Sequence, residues 1–385
     1  MKKRFDSLDI LRGITITFMC IVNNPGSWGH MYAPLEHAEW IGCTPTDLVY
    51  PFFIFCMGCA MAFSYSRFES FSKEACLKLV KRSIAIFLIG ILIALYPFFP
   101  TSLHDPDWTL WQNIGYWLGH KRIFGVLQRI ACAYLIGGML ALWLRKPGKI
   151  LGAVGVLLVA YTAILVLFGS DPGPFTLEGN ISRRIDVALL GDSHVYHGYH
   201  YADGSAAAFD PEGPLGSLPA AASCLLAYLI GNLIITATRR HSENPLDDST
   251  SPMAIVCKVF ALGMVCLGIG EIMSIWIPIS KPLWSASYVF YTTGWASLAL
   301  AFLMYCADIR GIAKPFKPFR IMGLNAMAAF VLSGVFAKSY QFVNWVPSKY
   351  FGANEFMSLV YSLIFAGVIF ACLYGLYKKN IIIKV

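Results

Sequence analysis

Charge is what this sequence has least of. Asp, Glu, Lys and Arg make up 14% of its 385 residues, whereas a soluble domain carries about 25%. Set beside 57% hydrophobic residues and a mean hydropathy of +0.60, the deficit excludes an ordinary soluble domain. It implies an all-α integral membrane protein. A cysteine framework is also missing. Most cysteines (Cys20, Cys56, Cys59, Cys132, Cys224, Cys257, Cys266, Cys306 and Cys372) sit inside apolar runs, and no CxxC pairs with a second one. They read as core thiols rather than disulfides or zinc ligands. No small-residue cleavage site follows Met1–Arg4, so a cleavable signal peptide is not expected. No internal repeat recurs at a fixed period, which argues against an inverted-repeat transporter. Neither a soluble domain nor a linker stands out, and one membrane domain is expected over 1–385.

What is present is a series of apolar runs. A helical span needs about 20 residues, and ten candidates follow: 8–23, 45–66, 83–99, 123–144, 150–169, 217–237, 253–277, 284–306, 320–341 and 354–377. With the N-terminus inside, most lysines and arginines fall in alternating short loops. Lys2, Lys3, Arg4, Arg67, Arg145, Arg240, Lys314 and Lys384 are among them. This is the bias expected of cytoplasmic loops, so both termini are expected in the cytoplasm. The formal charge of +8 becomes a topology signal, and nucleic-acid binding is excluded. The outer loops are longer: 24–44, 100–122, 170–216, 278–283 and 342–353 (the last containing Lys349). They are rich in Trp, Tyr, His, Asp and Gly, as a site for a polar ligand would be, although an aromatic belt at the interface would look similar.

The loop after the first span, Asn23 to Asp47, concentrates polar groups at one mouth of the bundle. A loop histidine is ordinarily a solvated side chain, but His37 has Glu36, Glu39 and Asp47 near it in sequence to orient its imidazole. Histidine is the natural general base for a hydroxyl or amine near neutral pH. Asn23 can donate to a developing oxyanion, or simply end a helix. Asp9 and Arg12 read as a structural pair on one helix face. RIFGVLQRI places Arg122, Gln128 and Arg129 at the start of the fourth span, and a charge that deep usually faces a cavity or a partner. Asp210 and Glu212, before the sixth span, can bind sugar hydroxyls or stabilise a helix N-terminus. His194, His197 and His200 recur every third residue, but a glycine-rich loop is a poor metal scaffold, and no metal is expected. Lys281 and Asn325 stand where ligand contact is feasible, and Glu271 is a further cavity candidate within its span.

Seven stretches carry a resemblance when taken together: SLDILRG (7–13), VNNPGSW (22–28), LEHAEWIGCTPTDLVYPFF (35–53), RIFGVLQRI (122–130), DPEGPLGSLPA (210–220), KPLWSASYV (281–289) and GLNA (323–326). In this order they resemble the heparan-α-glucosaminide N-acetyltransferase family, most closely its shorter bacterial members. The resemblance implies a multi-pass enzyme that takes acetyl from cytosolic acetyl-CoA. It delivers the group to the amino group of a terminal glucosamine across the membrane. The family's active-site histidine, in an HxxW segment with Trp40, falls on His37. The asparagine after the first span falls on Asn23, and the aspartate opening the second falls on Asp47. Two departures are visible: the large luminal domain of the lysosomal enzyme is lacking, and the Asn-to-His loop is longer. Both bear on the acceptor more than on the donor.

On that resemblance His37 and Asn23 are the expected catalytic pair, with Asp47, Arg129 and Gln128 supporting. Trp40, Glu36, His194, Asp210, Glu212, Lys281 and Asn325 are candidate acceptor contacts. Arg82, Arg239 and Arg320 are candidates for the coenzyme phosphates. Direct transfer and an acetyl-His37 intermediate are both open. Other readings are a transporter of a sugar or cell-wall fragment, and O-acetylation of a surface glycan. Expected partners are the lipid bilayer, acetyl-CoA and an amino-sugar or glycan acceptor, with a homodimer left open. The expected location is a bacterial inner membrane.

Overall fold

The computed structural model describes residues 5–65, 71–100, 104–339 and 351–383. Lys2, Lys3, Arg4, Arg67, Lys349 and Lys384, and all of the outer loop 342–353 but its last three residues, lie outside the described residues. The apolar runs fold as helices: α1 (Asp6–Val22), α2 (Val49–Tyr65), α3 (Lys73–Leu95), α5 (Val126–Leu144), α6 (Pro147–Phe168), α8 (Ser217–Glu243), α9 (Pro252–Ser274), α10 (Ala286–Leu303) and α13 (Glu355–Lys378). Side chains start several of them. Ser72, Ser251, Ser285 and Asn354 each accept a backbone N–H of the first turn, which satisfies a donor that the helix cannot.

Seven helices among the described residues are long and apolar enough to cross a membrane, and an eighth if α11 (Lys317–Leu324) and α12 (Ala326–Lys338) are one span bent by 72°. The chain is therefore a multi-pass membrane protein. Two of the ten expected runs fall outside this set. α1 is only 17 residues long, and α3 carries Lys78, Lys81 and Arg82 within its first ten residues. Burial orders the bundle. In α8, 67% of the apolar window is buried, against 28% in α6 and α9, so α8 stands at the centre and those two at the rim. α8 packs on α2 and α5, α9 on α10, and α1 on α11.

Two of the outer loops hold helices that hydropathy did not reveal. α4 (Leu110–Gly119) opens on a reciprocal cap between Thr109 and Gln112. α7 (Ile181–Leu190) opens on Asn180, whose side chain accepts from Arg183 N. A short antiparallel pair, β1 (Tyr199–His200) with β2 (Ala206–Ala207), follows. The eleven cysteines are all free thiols.

Candidate active site

The site is built on the turn that starts α2. Asp47 is fully buried, which is costly for a carboxylate unless donors surround it. Its Oδ2 accepts from Thr44 N at 3.1 Å, Thr44 Oγ1 at 3.1 Å and Ala38 N at 3.0 Å. The same turn is a capping box, so the bonds that start the helix also fix the carboxylate. That leaves Oδ1 for His37 Nδ1, at 2.7 Å, and for Lys281 Nζ, at 3.1 Å. An ionised carboxylate only accepts. Nδ1 therefore carries a proton, an arrangement that in the neutral imidazole leaves the Nε2 lone pair free. Lys281 Nζ is also 3.0 Å from His37 Nδ1, so a base, a carboxylate and an ammonium share one corner.

Lys281 reaches this corner from 234 residues away because two loops pair. Gly42 N donates to Ile279 O at 2.8 Å, and Gly42 bridges Ser280 in parallel register. The φ of Gly42 is +110°, a conformation that a residue with a Cβ rarely adopts. Tyr288 of α10 donates its hydroxyl to the Asp47 carbonyl at 2.6 Å and fixes the turn from below.

His37 opens onto a cavity of about 240 Å³, walled by Tyr50, Tyr196, Tyr199 and Trp284, with Arg122, Glu212 and Lys281 as its other charged groups. Arg122 forks onto the fully buried Asp210, with Nε–Oδ2 at 2.8 Å and Nη2–Oδ1 at 2.5 Å, and also grips Glu212. Its guanidinium lies 4.8 Å from the Tyr196 ring centre. Burial works against the charge of Glu212, but Arg122 and Arg129 outweigh it and hold the carboxyl below its usual range. Two further groups staple the loop behind Glu212. Arg129 Nη2 donates to Gly213 O at 3.0 Å, and Asp186 of α7 accepts from Leu215 N at 3.3 Å. A Cβ on Gly213 would sit 1.8 Å from Asp186 Oδ2, so only glycine fits. Burial pushes the Asp186 carboxyl up to about 7.

A second cavity, of about 1010 Å³, opens at the opposite end of the bundle. Its rim carries Arg12, Glu74, Lys78, Lys81 and Arg82, and its interior is apolar, with Phe53, Met57, Leu127, Ile130 and Phe330. The volume lies at the top of the ~300–1,000 Å³ range of ligand sites. A cationic rim over an apolar shaft suits a long ligand with a phosphorylated head.

Several residues singled out in the sequence meet in these cavities: His37, Asp47, Glu212 and Lys281 in the first, with Asp210 gripped beside it by Arg122, and Arg82 in the second. Others stand elsewhere. Asn23 is exposed at the end of α1 and lines neither cavity. Glu36 is exposed, and its carbonyl accepts from Thr44 Oγ1 at 2.6 Å. Trp40 supports the wall from behind, donating to Phe175 O at 2.7 Å and packing on Tyr199. His194 Nδ1 meets Lys121 O at 2.7 Å, a tie between loops. Gln128 is buried against Gly90, and Arg129 is buried under Trp284. Asn325 commits its amide to the tail after α13, with Nδ2–Ile381 O at 3.0 Å and Ile383 N–Oδ1 at 2.8 Å. Arg320 pairs with Asp6 at 3.1 Å, and Arg239 is exposed near the C-terminal end of α8. Neither lines the second cavity, nor does Glu271, which is exposed on α9.

The residues missed have a partial signal. Lys78 and Lys81 were not singled out, but with the expected Arg82 they are spaced i, i+3, i+4, which puts all three on one helix face. Tyr199 and Asp186 carry none, because their roles arise from loops folding back.

The family model "Heparan-alpha-glucosaminide N-acetyltransferase, catalytic" matches residues 4–171, which include His37, Asp47, Arg122 and Arg129. The chain is 27% identical over 432 residues to heparan-alpha-glucosaminide N-acetyltransferase of Homo sapiens and 25% identical over 434 to that of Mus musculus. Each alignment covers 99% of this chain and 60% of the relative, so the chain spans little more than half the length of the proteins it matches. The resemblance read from the sequence is borne out.

Proposed function

We propose that this chain is a transmembrane acetyltransferase. It moves acetyl from cytosolic acetyl-CoA to the amino group of a terminal glucosamine-type sugar on the far side of the membrane. α1 and α3 cross the membrane as well, giving ten crossings with both termini in the cytoplasm, one membrane domain and, from its short basic loops, a bacterial inner membrane. The observation that carries the reading is the pair of cavities at opposite ends of one bundle. One has a phosphate-attracting rim and the other an oriented imidazole.

The coenzyme's phosphates meet Lys78, Lys81 and Arg82, and its pantetheine arm lies along the apolar shaft between α2, α3 and α5. The acceptor enters the aromatic cavity, with Glu212 and Arg122 beside its polar groups. His37 Nε2 takes the proton of the acceptor amine as the nitrogen attacks the thioester carbonyl. Asp47 holds Nδ1–H and stabilises the imidazolium that forms. The tetrahedral oxyanion is met by the Lys281 ammonium, the cation beside His37. The intermediate collapses by expelling the coenzyme thiolate, leaving the acetyl on nitrogen. Asn23 was expected to steady the oxyanion, but its exposed position outside the lining favours Lys281.

The test is isotopic. Sealed vesicles given acetyl-labelled coenzyme on the cytosolic face and glucosamine on the other should yield labelled N-acetylglucosamine outside. His37→Ala should abolish it while the protein stays folded in the membrane. Uptake of unmodified sugar without label transfer would sink the reading in favour of transport. Label on a hydroxyl would convert it to O-acetylation.

A further inference from the structure

Both cavities are lined by side chains of α2. Tyr50 lines the cavity of His37, whereas Phe53 and Met57, one and two turns further along α2, line the other. Its hydroxyl donates to Val126 O, on α5, at 3.2 Å, and the next residue, Leu127, already faces the large cavity. The ring packs edge-on against Trp284, with centroids 4.7 Å apart.

Trp284 is itself held in an unusual way. Its φ is +52°, a left-handed conformation that costs a bulky residue energy and persists only where its surroundings enforce it. The enforcement is visible: its indole N–H donates to Ser223 Oγ at 3.1 Å, and it packs on Tyr288 with centroids 5.3 Å apart. A tyrosine latched on one side and braced by a clamped tryptophan on the other stands where α2 passes from one cavity to the other.

We infer that Tyr50 is a gate, a positioning residue whose swing away from Val126 admits the thioester to His37. The inference rests on the acetyl-transfer reading. The closed ring keeps the thioester away from water in the outer cavity until an acceptor is present. The latch is a single hydrogen bond to a backbone carbonyl, and gating motions of this kind fall on catalytic timescales.

The gate can be tested without any turnover. In sealed vesicles, Met57→Cys places a thiol in the large cavity, and a charged, membrane-impermeant thiol reagent is added on the His37 face. Peptide mass spectrometry separates the introduced thiol from the native cysteines. That thiol should stay unlabelled with Tyr50 present and become labelled about tenfold faster or more with Tyr50→Ala, a gating effect. Labelling of Met57→Cys at the same rate with and without Tyr50 would overturn the gate.

The second readout uses acetyl-CoA without acceptor. Water attacks the thioester carbonyl, releasing acetate and the coenzyme thiol. Tyr50→Phe, which keeps the ring and removes the latch, should raise this hydrolysis several-fold relative to transfer. An unchanged ratio counts against the latch. A wild-type protein that neither binds nor turns over acetyl-CoA would instead defeat the acetyltransferase reading, and the labelling result would stand on its own.

Discussion

Asp47 accepts His37 Nδ1 at 2.7 Å with the same oxygen that accepts Lys281 Nζ at 3.1 Å. One carboxylate thus orients the imidazole and anchors the ammonium beside it, the groups that serve as base and oxyanion partner in the proposed reaction. Asp47→Asn keeps the volume but replaces acceptor-only chemistry with a group that can also donate. The imidazole is then free to take the wrong tautomer. Transfer should fall by about 10²–10⁴-fold in kcat, with KM for acetyl-CoA little changed. A loss of tenfold or less would mean that His37 does not depend on this bond.

Lys281 separates positioning from charge. Lys281→Arg keeps a cation but not its point geometry, and Lys281→Met removes the charge. The methionine variant should lose about 10²-fold in kcat, as removal of an oxyanion donor does, and the arginine variant should recover part of it. Equal activity of the two variants would show that charge at this corner plays no part.

Arg122 ties two carboxylates together at the cavity proposed for the acceptor. Its fork closes on Asp210 and Glu212, so Arg122→Met leaves two neighbouring carboxylates without their cation. Removing one partner of a largely buried pair costs about 2–4 kcal/mol. The melting temperature in detergent should drop, and the acceptor KM should rise. Arg122→Met with Asp210→Asn should regain part of the stability, because the buried charge goes with its partner. A double variant no better than the single one would show that the loss lies in packing.

At the other end, Lys81→Ala and Arg82→Ala should each raise the KM for acetyl-CoA about fivefold, the weight of a partly solvated ion contact of ~1 kcal/mol. The effect should shrink as salt is added. The acceptor KM should not move. An acetyl-CoA KM insensitive to both substitutions would remove the coenzyme from this cavity.

Much of the architecture was legible because it rests on hydropathy. Apolar runs became helices, and a run bent at Asn325 still read as one. The corner of His37, Asp47 and Lys281 was legible in part. The Thr44–Asp47 turn lies next to His37 in sequence and advertises a cap. Lys281 needed Gly42 and Ser280 to find each other, and nothing in either segment announces that pairing. Asn23 stood out because the polar residue ending a span is adjacent to the loop in sequence, and in the structure it is exposed and lines neither cavity. Arg82, Arg239 and Arg320 were the cations expected for the coenzyme phosphates, and of these only Arg82 lines the large cavity. The lining follows a helix face instead, which adds Lys78 and Lys81 to Arg82.

Asp186 makes the last prediction one of pH and stability. Burial raises its carboxyl to about 7, Asp210 adds to the rise, and the Leu215 amide and Arg129 oppose it without cancelling it. In the unfolded chain an aspartate titrates near 3.9. Between about 4 and 7 the folded protein therefore holds a proton that the unfolded chain has released. Its contribution to stability is complete below about 4 and is lost as pH rises through about 7, on the order of 3–4 kcal/mol in all. Asp186→Asn keeps an acceptor for Leu215 N and cannot ionise. The difference in melting temperature between the variant and the wild type should therefore grow in the variant's favour from pH 5 to pH 8. Every other ionisable group is common to the two proteins, so the difference between the two curves is the quantity to read. Parallel curves would mean that Asp186 is charged throughout, and Arg129 would then be its full counter-ion.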